Sequence, residues 1–379
     1  MKRHTISPRP DWEEKIKAHG FLFYKNESYY TETACYEFSS EEIDALDTAT
    51  AECFDMCLKV VQHVIDHNLW DEFHIPKQYA DLIKWSWDND MPSIYGRMDM
   101  VYNNGSIKML EFNADTPTSL LEASVVQWYW LQEYKHDADQ FNSIHEKLVA
   151  HFKTLKQDLY GSGKLHFSCI NGNTEDYMTT KYLEDAAHQA GITTDFLYIE
   201  DVQMDNARTA FYTDEEQPIE NLFKLYPYEW MMHEMFGPFL PSTREQTLWI
   251  EPAYKAILSN KMLMVYLHKL FPDSPYILPA FSGKWDASVG SSYVKKPVFS
   301  REGANVEIVE KQMTIEHSGG DYGEEGYIYQ QYAPLPYFDG NRPVIGSWLI
   351  GGQTAGIGIR ESDGLITGNT SRFVPHFFG

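Results

Sequence analysis

Residues 94–120 decide the fold and read IYGRMDMVYNNGSIKMLEFNADTPTSL. On either side of the Asn-Asn-Gly sequence at 103–105, polar and apolar residues alternate as is typical of strands. Asn and Gly tolerate the positive φ angles of tight turns, so the stretch predicts a β-hairpin. Its loop contains either all three of these residues or only two of them, and the arrangement described next requires three.

Four polar side chains stand in pairs on the two predicted strands. Residues two apart share a face, so Arg97 accompanies Asp99 and Glu111 accompanies Asn113. A three-residue loop places Arg97 opposite Glu111 with all four on one side of the sheet, whereas a two-residue turn splits them. Two carboxylates and an amide oxygen suit Mg²⁺, which takes substrate phosphates as further ligands, and a neighbouring arginine suits a phosphate. The alternative is an ordinary hairpin with charges on its solvent face.

The length, composition and charge of the chain limit the kind of protein it can be and the partners it can bind. Its 379 residues are 43% hydrophobic, which is enough for two or more closely packed units. A formal net charge of −24 argues against nucleic acid and anionic membranes as partners and favours cationic small molecules. The sequence has no apolar leader and no run long enough to cross a bilayer, so we expect a soluble, cytoplasmic protein with reduced cysteines.

Two other segments are predicted to form regular secondary structure that supports the rest of the fold. The sequence SSEE at 39–42 is a capping box, and apolar residues follow at helical spacing to about His67. Residues 165–199 have the strand, helix and strand spacing of a βαβ unit with parallel strands. We therefore predict an α/β (α+β) chain. Its approximate subregions are 1–155 with the hairpin, 156–250 with the βαβ unit, and 251–379 with a nucleotide-binding lid and C-terminal strands.

The last third of the chain carries polar residues at the ends of predicted strands. A glycine-bearing loop follows the strand that contains Lys296, and such a loop can close over phosphates. The next strand ends in paired amides at 330–331, and a hairpin over 344–360 ends in an arginine. We expect residues 299–305 to form a mobile lid that admits a ligand and then excludes water.

Seven polar motifs follow one another along residues 90–379. They are Gly96-Arg97-x-Asp99, Leu110-Glu111-x-Asn113-Ala114-Asp115-Thr116-Pro117, Ser259-Asn260-Lys261, Val294-x-Lys296-Pro297, Arg301-x-Gly303-x-Asn305, Gln330-Gln331, and Gly351-Gly352 with Arg360. This ordered set resembles the glutathionylspermidine synthase family. The resemblance implies one catalytic unit over 1–379 with an ATP-grasp-type fold, whose motif order is permuted because the acidic metal motif precedes the nucleotide lysines. It also implies an ATP-dependent carbon–nitrogen ligase that joins an acid to an amine through an acyl phosphate.

The resemblance implies a role for each matching residue. The implied ligands of two Mg²⁺ ions are Asp99, Glu111 and Asn113. The implied ATP contacts are Arg97, Lys261, Lys296, Gln330, Gln331, Tyr332, Leu365, Ile366 and Thr367. The implied catalytic arginines are Arg97, Arg301 and Arg360. The implied substrate contacts are Thr116, Thr118 and Glu175.

Two departures from the family concern the amine. Arg372 stands where the family has an acidic polyamine contact, and Leu225 stands where it has a hydroxyl. The resemblance implies a glutathione- or peptide-like acid, and the two departures predict an amine other than spermidine. Arg372 would then bind an amine that has its own carboxylate, unless it is merely a surface charge.

Other activities stay open at this point. The family's amidase domain is not expected, because only about 90 residues precede the hairpin and they contain no plausible Cys/His pair. A small-molecule kinase would use the same metal and nucleotide groups, and a nucleotide-binding protein without turnover is a third alternative. ADP release that requires both an acid and an amine distinguishes the ligase from the kinase.

Overall fold

The chain has a mixed α/β fold built from several small sheets. The computed structural model describes residues 1–25, 29–368 and 371–379. The helices are α1 (Trp12–Ala18), α2 (Ser40–His67), α3 (Ala80–Asp88), α4 (Gln127–Tyr134), α5 (Ile144–Leu155), α6 (Thr174–Gln189), α7 (Tyr228–Met231), α8 (Lys255–Leu258) and α9 (Met262–Leu270). The strands are β1 (Lys2–Thr5), β2 (Ala34–Phe38), β3 (Tyr95–Asn103), β4 (Ser106–Asn113), β5 (Leu165–Cys169), β6 (Thr194–Tyr198), β7 (Gln203–Met204), β8 (Phe211–Tyr212), β9 (Asn221–Leu225), β10 (Leu248–Ile250), β11 (Ala280–Ser282), β12 (Tyr293–Pro297), β13 (Glu307–Glu310), β14 (Met313–His317), β15 (Tyr327–Gln331), β16 (Arg342–Ile350), β17 (Gln353–Ser362), β18 (Arg372–Val374) and β19 (His376–Phe378).

The predicted hairpin is β3 and β4, and it belongs to an antiparallel sheet ordered β18-β17-β16-β3-β4. The second predicted hairpin, β16 and β17, is also present and turns at Gly351-Gly352. β16 pairs with β3 so that Gly346 lies opposite Asp99. A Cβ atom at Gly346 would lie 2.8 Å from Cδ of Arg97, so the glycine leaves room for the arginine side chain.

α2 is the scaffold helix that the capping box predicted. The Ser39 side chain accepts a hydrogen bond from the Glu42 N–H, and the Glu42 side chain reaches back to the Ser39 N–H. Its apolar face, which includes Leu46 and Val60, packs in one core with the buried face of the β3–β4 hairpin. The helix thereby supports the back of the hairpin.

A parallel sheet ordered β10-β9-β5-β6 contains the predicted βαβ unit. β5 and β6 pair in parallel, and α6 connects them, which confirms the predicted topology. Because all its strands run the same way, their carboxyl ends meet at one edge of the sheet. The loop from β5 to α6 starts at that edge, and β9 ends there.

The remaining larger sheet is antiparallel, ordered β11-β15-β12-β13-β14, and comes from the last third of the chain. A three-stranded sheet ordered β1-β2-β19 joins strands from the two ends of the sequence, and it was not predicted. Within the described ranges, no helix is both long enough and apolar enough to span a lipid bilayer.

Candidate functional site

The β3–β4 hairpin brings the four predicted side chains together by a route that differs from the prediction. Only Asn104 and Gly105 form the turn, with φ angles of 50° and 82°, so the predicted three-residue loop is wrong. A β-bulge at Leu110 then shifts the register by one residue, and Asp99 pairs with Glu111. Arg97 consequently lies opposite Asn113 rather than opposite Glu111.

The bulge also separates the polar residues from the apolar ones. Without it, strand alternation would put Glu111 on the same face as Ile107 and Met109. With it, Ile107 and Met109 pair with buried residues of β3 on the core face, whereas Glu111 faces a cavity together with Asp99. Bulges are common beside active sites because they re-aim a side chain.

Asp99, Glu111 and Asn113 form an oxygen cluster that cationic side chains contact. Arg97 donates to Asp99 through Nε and Nη2, at 2.7 and 3.0 Å, and Lys261 Nζ lies 3.4 Å from Glu111 Oε2. Burial alone would raise the pKa of Glu111, but the charges of Lys261, Lys296 and Arg97 outweigh it, so the net shift is downward. In the described part of the chain, no group of three or more His, Cys, Asp or Glu residues is arranged to hold a metal. The oxygen cluster itself has two carboxylates and one amide.

A cavity of about 280 Å³ opens beside the oxygen cluster, where the three larger sheets meet. It is lined by every predicted site residue except Arg372. Those lining residues are Arg97, Asp99, Glu111, Asn113, Thr116, Thr118, Glu175, Lys261, Lys296, Arg301, Gln330, Gln331, Tyr332, Arg360, Leu365, Ile366 and Thr367. Positions far apart in the sequence therefore share one space.

Lys296 is a buried cation in the wall of this cavity. Its Nζ donates to the Leu110 carbonyl at 3.1 Å and to Gln330 Oε1 at 2.9 Å. Burial lowers the pKa of Lys296 to about 8, although the Glu111 charge opposes this shift. The bulged residue Leu110 thus positions the lysine through its own carbonyl, and an anion in the cavity would favour the charged form of the lysine.

Arg301 ties the loop after β12 to two other elements. Its Nη2 donates to Glu229 Oε1 at 2.6 Å, and its Nη1 donates to the Thr116 hydroxyl. Its guanidinium also lies 5.7 Å from the centre of the Trp230 ring. The Arg301 side chain therefore helps to hold the loop predicted to be a lid against the cavity, as does Lys261 Nζ, which donates to the Ser300 carbonyl at 2.7 Å. The mobility of this loop stays a prediction.

A second loop, residues 363–368, meets the first across the cavity. The backbone N–H groups of Leu365 and Ile366 donate to the Glu316 carboxylate at 2.8 and 3.0 Å. Gly303, at a φ of 71°, packs so closely that a Cβ atom would lie 2.7 Å from the Thr367 carbonyl oxygen. Glu316 lies on β14 of the sheet ordered β11-β15-β12-β13-β14. We call this the lid-side sheet, because the loop predicted to be a lid follows its strand β12. Glu316 therefore links the lid-side sheet to the second loop.

Arg372 lies outside the cavity wall, which removes the geometric basis for its predicted substrate role. Its Nη2 donates to Asn341 Oδ1 and to Asp363 Oδ1, both at 2.7 Å, and its Nε lies 3.6 Å from Glu361. Adjacent residues of a strand point to opposite faces, and it is Phe373 that faces the cavity. Arg372 is thus engaged by acidic and amide groups of the protein itself.

Sequence reasoning missed a buried ionic network beneath the oxygen cluster. Lys224 Nζ lies 2.5 Å from Asp115 Oδ1, and Lys255 Nζ lies 2.5 Å from Glu251 Oε2. Lys255 also donates to the carbonyl of Ala114 at 2.7 Å, next to the oxygen cluster. Only the i,i+4 spacing of Glu251 and Lys255 gave a local signal, because the other partners are distant in sequence.

Comparison with known proteins identifies the family of the chain. The family model described as glutathionylspermidine synthase preATP-grasp matches residues 3–379. The chain belongs to the glutathionylspermidine synthase family. This membership makes it an enzyme of the carbon–nitrogen ligase class.

Relatives cover the chain to different extents. A Haemophilus influenzae protein named "Putative acid--amine ligase" is 42% identical over 395 residues, which is 100% of both chains. Trypanothione synthetase of Crithidia fasciculata is 27% identical over 79% of this chain and 50% of its own length. The bifunctional glutathionylspermidine synthetase/amidase of Escherichia coli is 25% identical over 95% of this chain and 61% of its own. The chain therefore spans only part of the length of these last two relatives.

A solved structure shares the fold. The glutathione synthetase-like effector of Globodera pallida superposes with a TM-score of 0.58 at 10% identity, covering 99% of this chain and 98% of the effector. The mixed α/β class predicted from the sequence is thereby confirmed.

Proposed function

We propose that this enzyme is an ATP- and Mg²⁺-dependent acid–amine ligase that works through an acyl phosphate. A carboxylate of the acid attacks the γ-phosphate of ATP, and an amine then displaces phosphate to form the amide. The observation that carries the proposal is that the oxygen cluster lines one cavity with Arg97, Lys261 and Lys296, in a member of this family.

The donor set of the oxygen cluster fits Mg²⁺. Two carboxylates and an amide suit a hard cation that keeps waters and phosphate oxygens as its other ligands. Asp99, Glu111 and Asn113 would hold two such ions, and the ions would neutralise charge on the phosphates. Lys261 contacts Glu111, and Arg97 contacts Asp99. Both cations would therefore lie beside the bound phosphates and stabilise the negative charge on the transferred phosphoryl group.

The nucleotide would lie between the lid-side sheet and the hairpin. Lys261 and Lys296 would hold its phosphates, and the strand end with Gln330, Gln331 and Tyr332 would hold adenine. The backbone at 365–367 would cover it from the other side. In this proposal the acidic motif precedes the nucleotide lysines in sequence, which gives the permuted order of an ATP-grasp site.

The acid would lie beside Arg301 and Arg360, with the hydroxyls of Thr116 and Thr118 near its carboxylate. Arg301 already donates to Thr116, so a substrate carboxylate at this point meets an arginine that the protein has oriented. A glutathione- or peptide-like acid and a small amine are the proposed substrates, and an ATP-consuming reaction of this kind suits the cytoplasm. All 379 residues would act as one catalytic unit, with 1–155, 156–250 and 251–379 as its parts.

The test is a coupled ADP-release screen of acids against amines, with mass spectrometry of the products. We expect ADP release to need both substrates and to yield an amide. Glu111→Gln should lower turnover on the order of 100-fold, because it removes one of the two carboxylates. Glu41→Gln, a change at an exposed position of α2, is the matched control and should leave turnover unchanged.

Two results would contradict the proposal. ADP release with the acid alone and a stable phosphorylated acid would identify a kinase instead. Wild-type turnover in Glu111→Gln would show that the oxygen cluster does not hold the catalytic metal.

A further inference from the structure

Two groups of the protein hold the guanidinium of Arg301. Nη2 donates to Glu229 Oε1 at 2.6 Å, and Nη1 donates to the Thr116 hydroxyl. We refer to Glu229 and Thr116 together as the Arg301 clamp. Nε of the same guanidinium is buried and has no hydrogen-bond partner in the part of the chain that the structure describes. Because a buried donor without a partner is costly, Nε is suited to donate to a ligand in the cavity that Arg301 lines.

Glu229 lies behind Arg301 and outside the wall of the large cavity. Arg301 and Thr116 line that cavity, whereas Glu229 is absent from the described residues that line it. Glu229 lines instead a smaller pocket of about 20 Å³, which Arg301 and Thr116 also border. A pocket of this size has room for about one water molecule. A substrate in the large cavity would therefore meet Arg301 and not the Glu229 carboxylate.

The buried residue Asp115 determines where both members of the clamp lie. Its Oδ2 accepts a hydrogen bond from the Tyr228 N–H at 3.0 Å, and Glu229 directly follows Tyr228. Thr116 directly follows Asp115 itself. The two clamp residues are thus each the next residue after a member of one buried hydrogen bond, although they are more than a hundred positions apart.

Tyr228 is fixed by further contacts of its side chain. Its hydroxyl donates to the Glu251 carbonyl at 2.8 Å, and Lys224 Nζ lies 4.0 Å from the centre of its ring. Lys224 Nζ also pairs with Asp115 at 2.5 Å. The buried ionic network therefore holds the clamp in place without any contribution from Arg301. A binding site that is ordered beforehand costs less to occupy.

The clamp joins two parts of the chain across the cavity. Arg301 belongs to residues 299–305, the loop predicted to be a lid, which follows strand β12 of the lid-side sheet. Glu229 belongs to α7, whose next residue, Trp230, has its ring centre 5.7 Å from the Arg301 guanidinium. The side chains of Arg301 and Glu229 are 28% and 16% exposed, so solvent screens this ion pair less than it screens a surface pair.

We propose that Glu229 is a positioning residue, which holds Arg301 so that residues 299–305 stay closed on the cavity and Nε of Arg301 keeps one place beside the acid and the transferred phosphoryl group. Glu229 itself touches neither substrate nor ATP, and it acts through Arg301. The role of Arg301 in turnover rests on the proposed ligase function. The closure of the loop by the clamp does not, because the clamp is formed in the protein without ligands.

The first experiment is amide hydrogen exchange of residues 299–305, measured by mass spectrometry on the full chain without ATP, acid or amine. Glu229→Gln should speed exchange of this loop about fivefold, because a charge-assisted hydrogen bond is replaced by a weaker neutral one. Arg301→Met should speed it at least as much. Adding Glu229→Gln to Arg301→Met should change exchange by less than about twofold, because the pair is already broken.

Glu234→Gln is the matched control for these measurements. Glu234 is exposed, lies five residues after Glu229, and accepts a hydrogen bond from the Tyr226 hydroxyl. It lines neither the large cavity nor the smaller pocket, and its described partner is Tyr226 rather than Arg301. Residues 299–305 should therefore exchange in this variant as they do in the wild type.

The second experiment measures ADP release. Glu229→Gln should lower kcat about tenfold and change the KM for ATP by less than about twofold, because the clamp acts on the transferred group and not on nucleotide binding. In the Arg301→Met background the same substitution should have no further effect on kcat, whereas a merely structural role would give a further loss.

The outcomes separate the clamp from the ligase proposal. If no acid and amine support amide formation, the ligase proposal fails, while hydrogen exchange still decides whether the clamp closes the loop. Unchanged exchange of residues 299–305 in Glu229→Gln would overturn the inference about Glu229. Additive effects of Glu229→Gln and Arg301→Met, or a wild-type kcat in Glu229→Gln, would overturn it as well.

Discussion

Replacing Lys224 with methionine is expected to lower the free energy of unfolding by about 3–5 kcal/mol. Lys224 and Asp115 are paired at 2.5 Å, with side chains that are 0% and 1% exposed. Once the ammonium is gone, the Asp115 carboxylate keeps the Tyr228 N–H at 3.0 Å but no paired charge. A buried carboxylate without its counter-charge is costly, and this cost sets the magnitude.

The measurement is urea-induced unfolding followed by tryptophan fluorescence. Lys59→Met is the control, because Lys59 pairs with Asp55 at 2.6 Å on the surface, with side chains 59% and 66% exposed. It should change the free energy of unfolding by less than about 0.5 kcal/mol. The double variant Lys224→Met with Asp115→Asn should recover more than half of the loss, since Asp115 then leaves no buried charge without a partner. A loss below about 1 kcal/mol in Lys224→Met would refute the reasoning about this pair.

Two further outcomes are expected. Glu316→Gln should speed hydrogen exchange at Leu365 and Ile366 by about tenfold or more, because a charge-assisted acceptor is lost; unchanged exchange there would mean that Glu316 does not hold this loop. Burial, and secondarily the Glu175 charge, raise the pKa of Glu122 to about 7. The folded chain therefore binds the proton of Glu122 more tightly than the unfolded chain does. As a result, the free energy of unfolding falls as pH rises from about 4.3 to 7. Glu122→Gln should therefore raise the free energy of unfolding at pH 8 by about 3 kcal/mol and leave it nearly unchanged at pH 4, and an equal effect at both pH values would contradict this.

Local patterns predicted much of the fold. The capping box located the start of α2, and the strand, helix and strand spacing located β5, α6 and β6 with their parallel pairing. Such features depend on neighbouring residues alone, so a single sequence contains them. The sheet of β1, β2 and β19 was missed because its pairing joins distant segments, and the first residues have weak periodicity.

The candidate site could be predicted in content but not in geometry. The motif order identified the residues that line the cavity, while the loop-length argument chose the wrong turn. The one-residue bulge at Leu110 has no clear sequence signal. A two-residue turn alone would have split the four polar side chains between the two faces of the sheet, and the bulge brings them back to one face. The substrate role predicted for Arg372 lacks geometric support for a related reason, since matching positions along the chain does not determine which strand face a residue occupies.

The bulge at Leu110 constrains how the length of this hairpin can change during evolution. Residues added at Asn104 and Gly105 would extend the tip, and both halves of β4 would keep their faces. Loss of one residue at 110 would exchange the faces of one half, placing either Glu111 and Asn113 in the core or Ile107 and Met109 in the cavity. Insertions and deletions among homologues are therefore expected at the turn and not at residue 110.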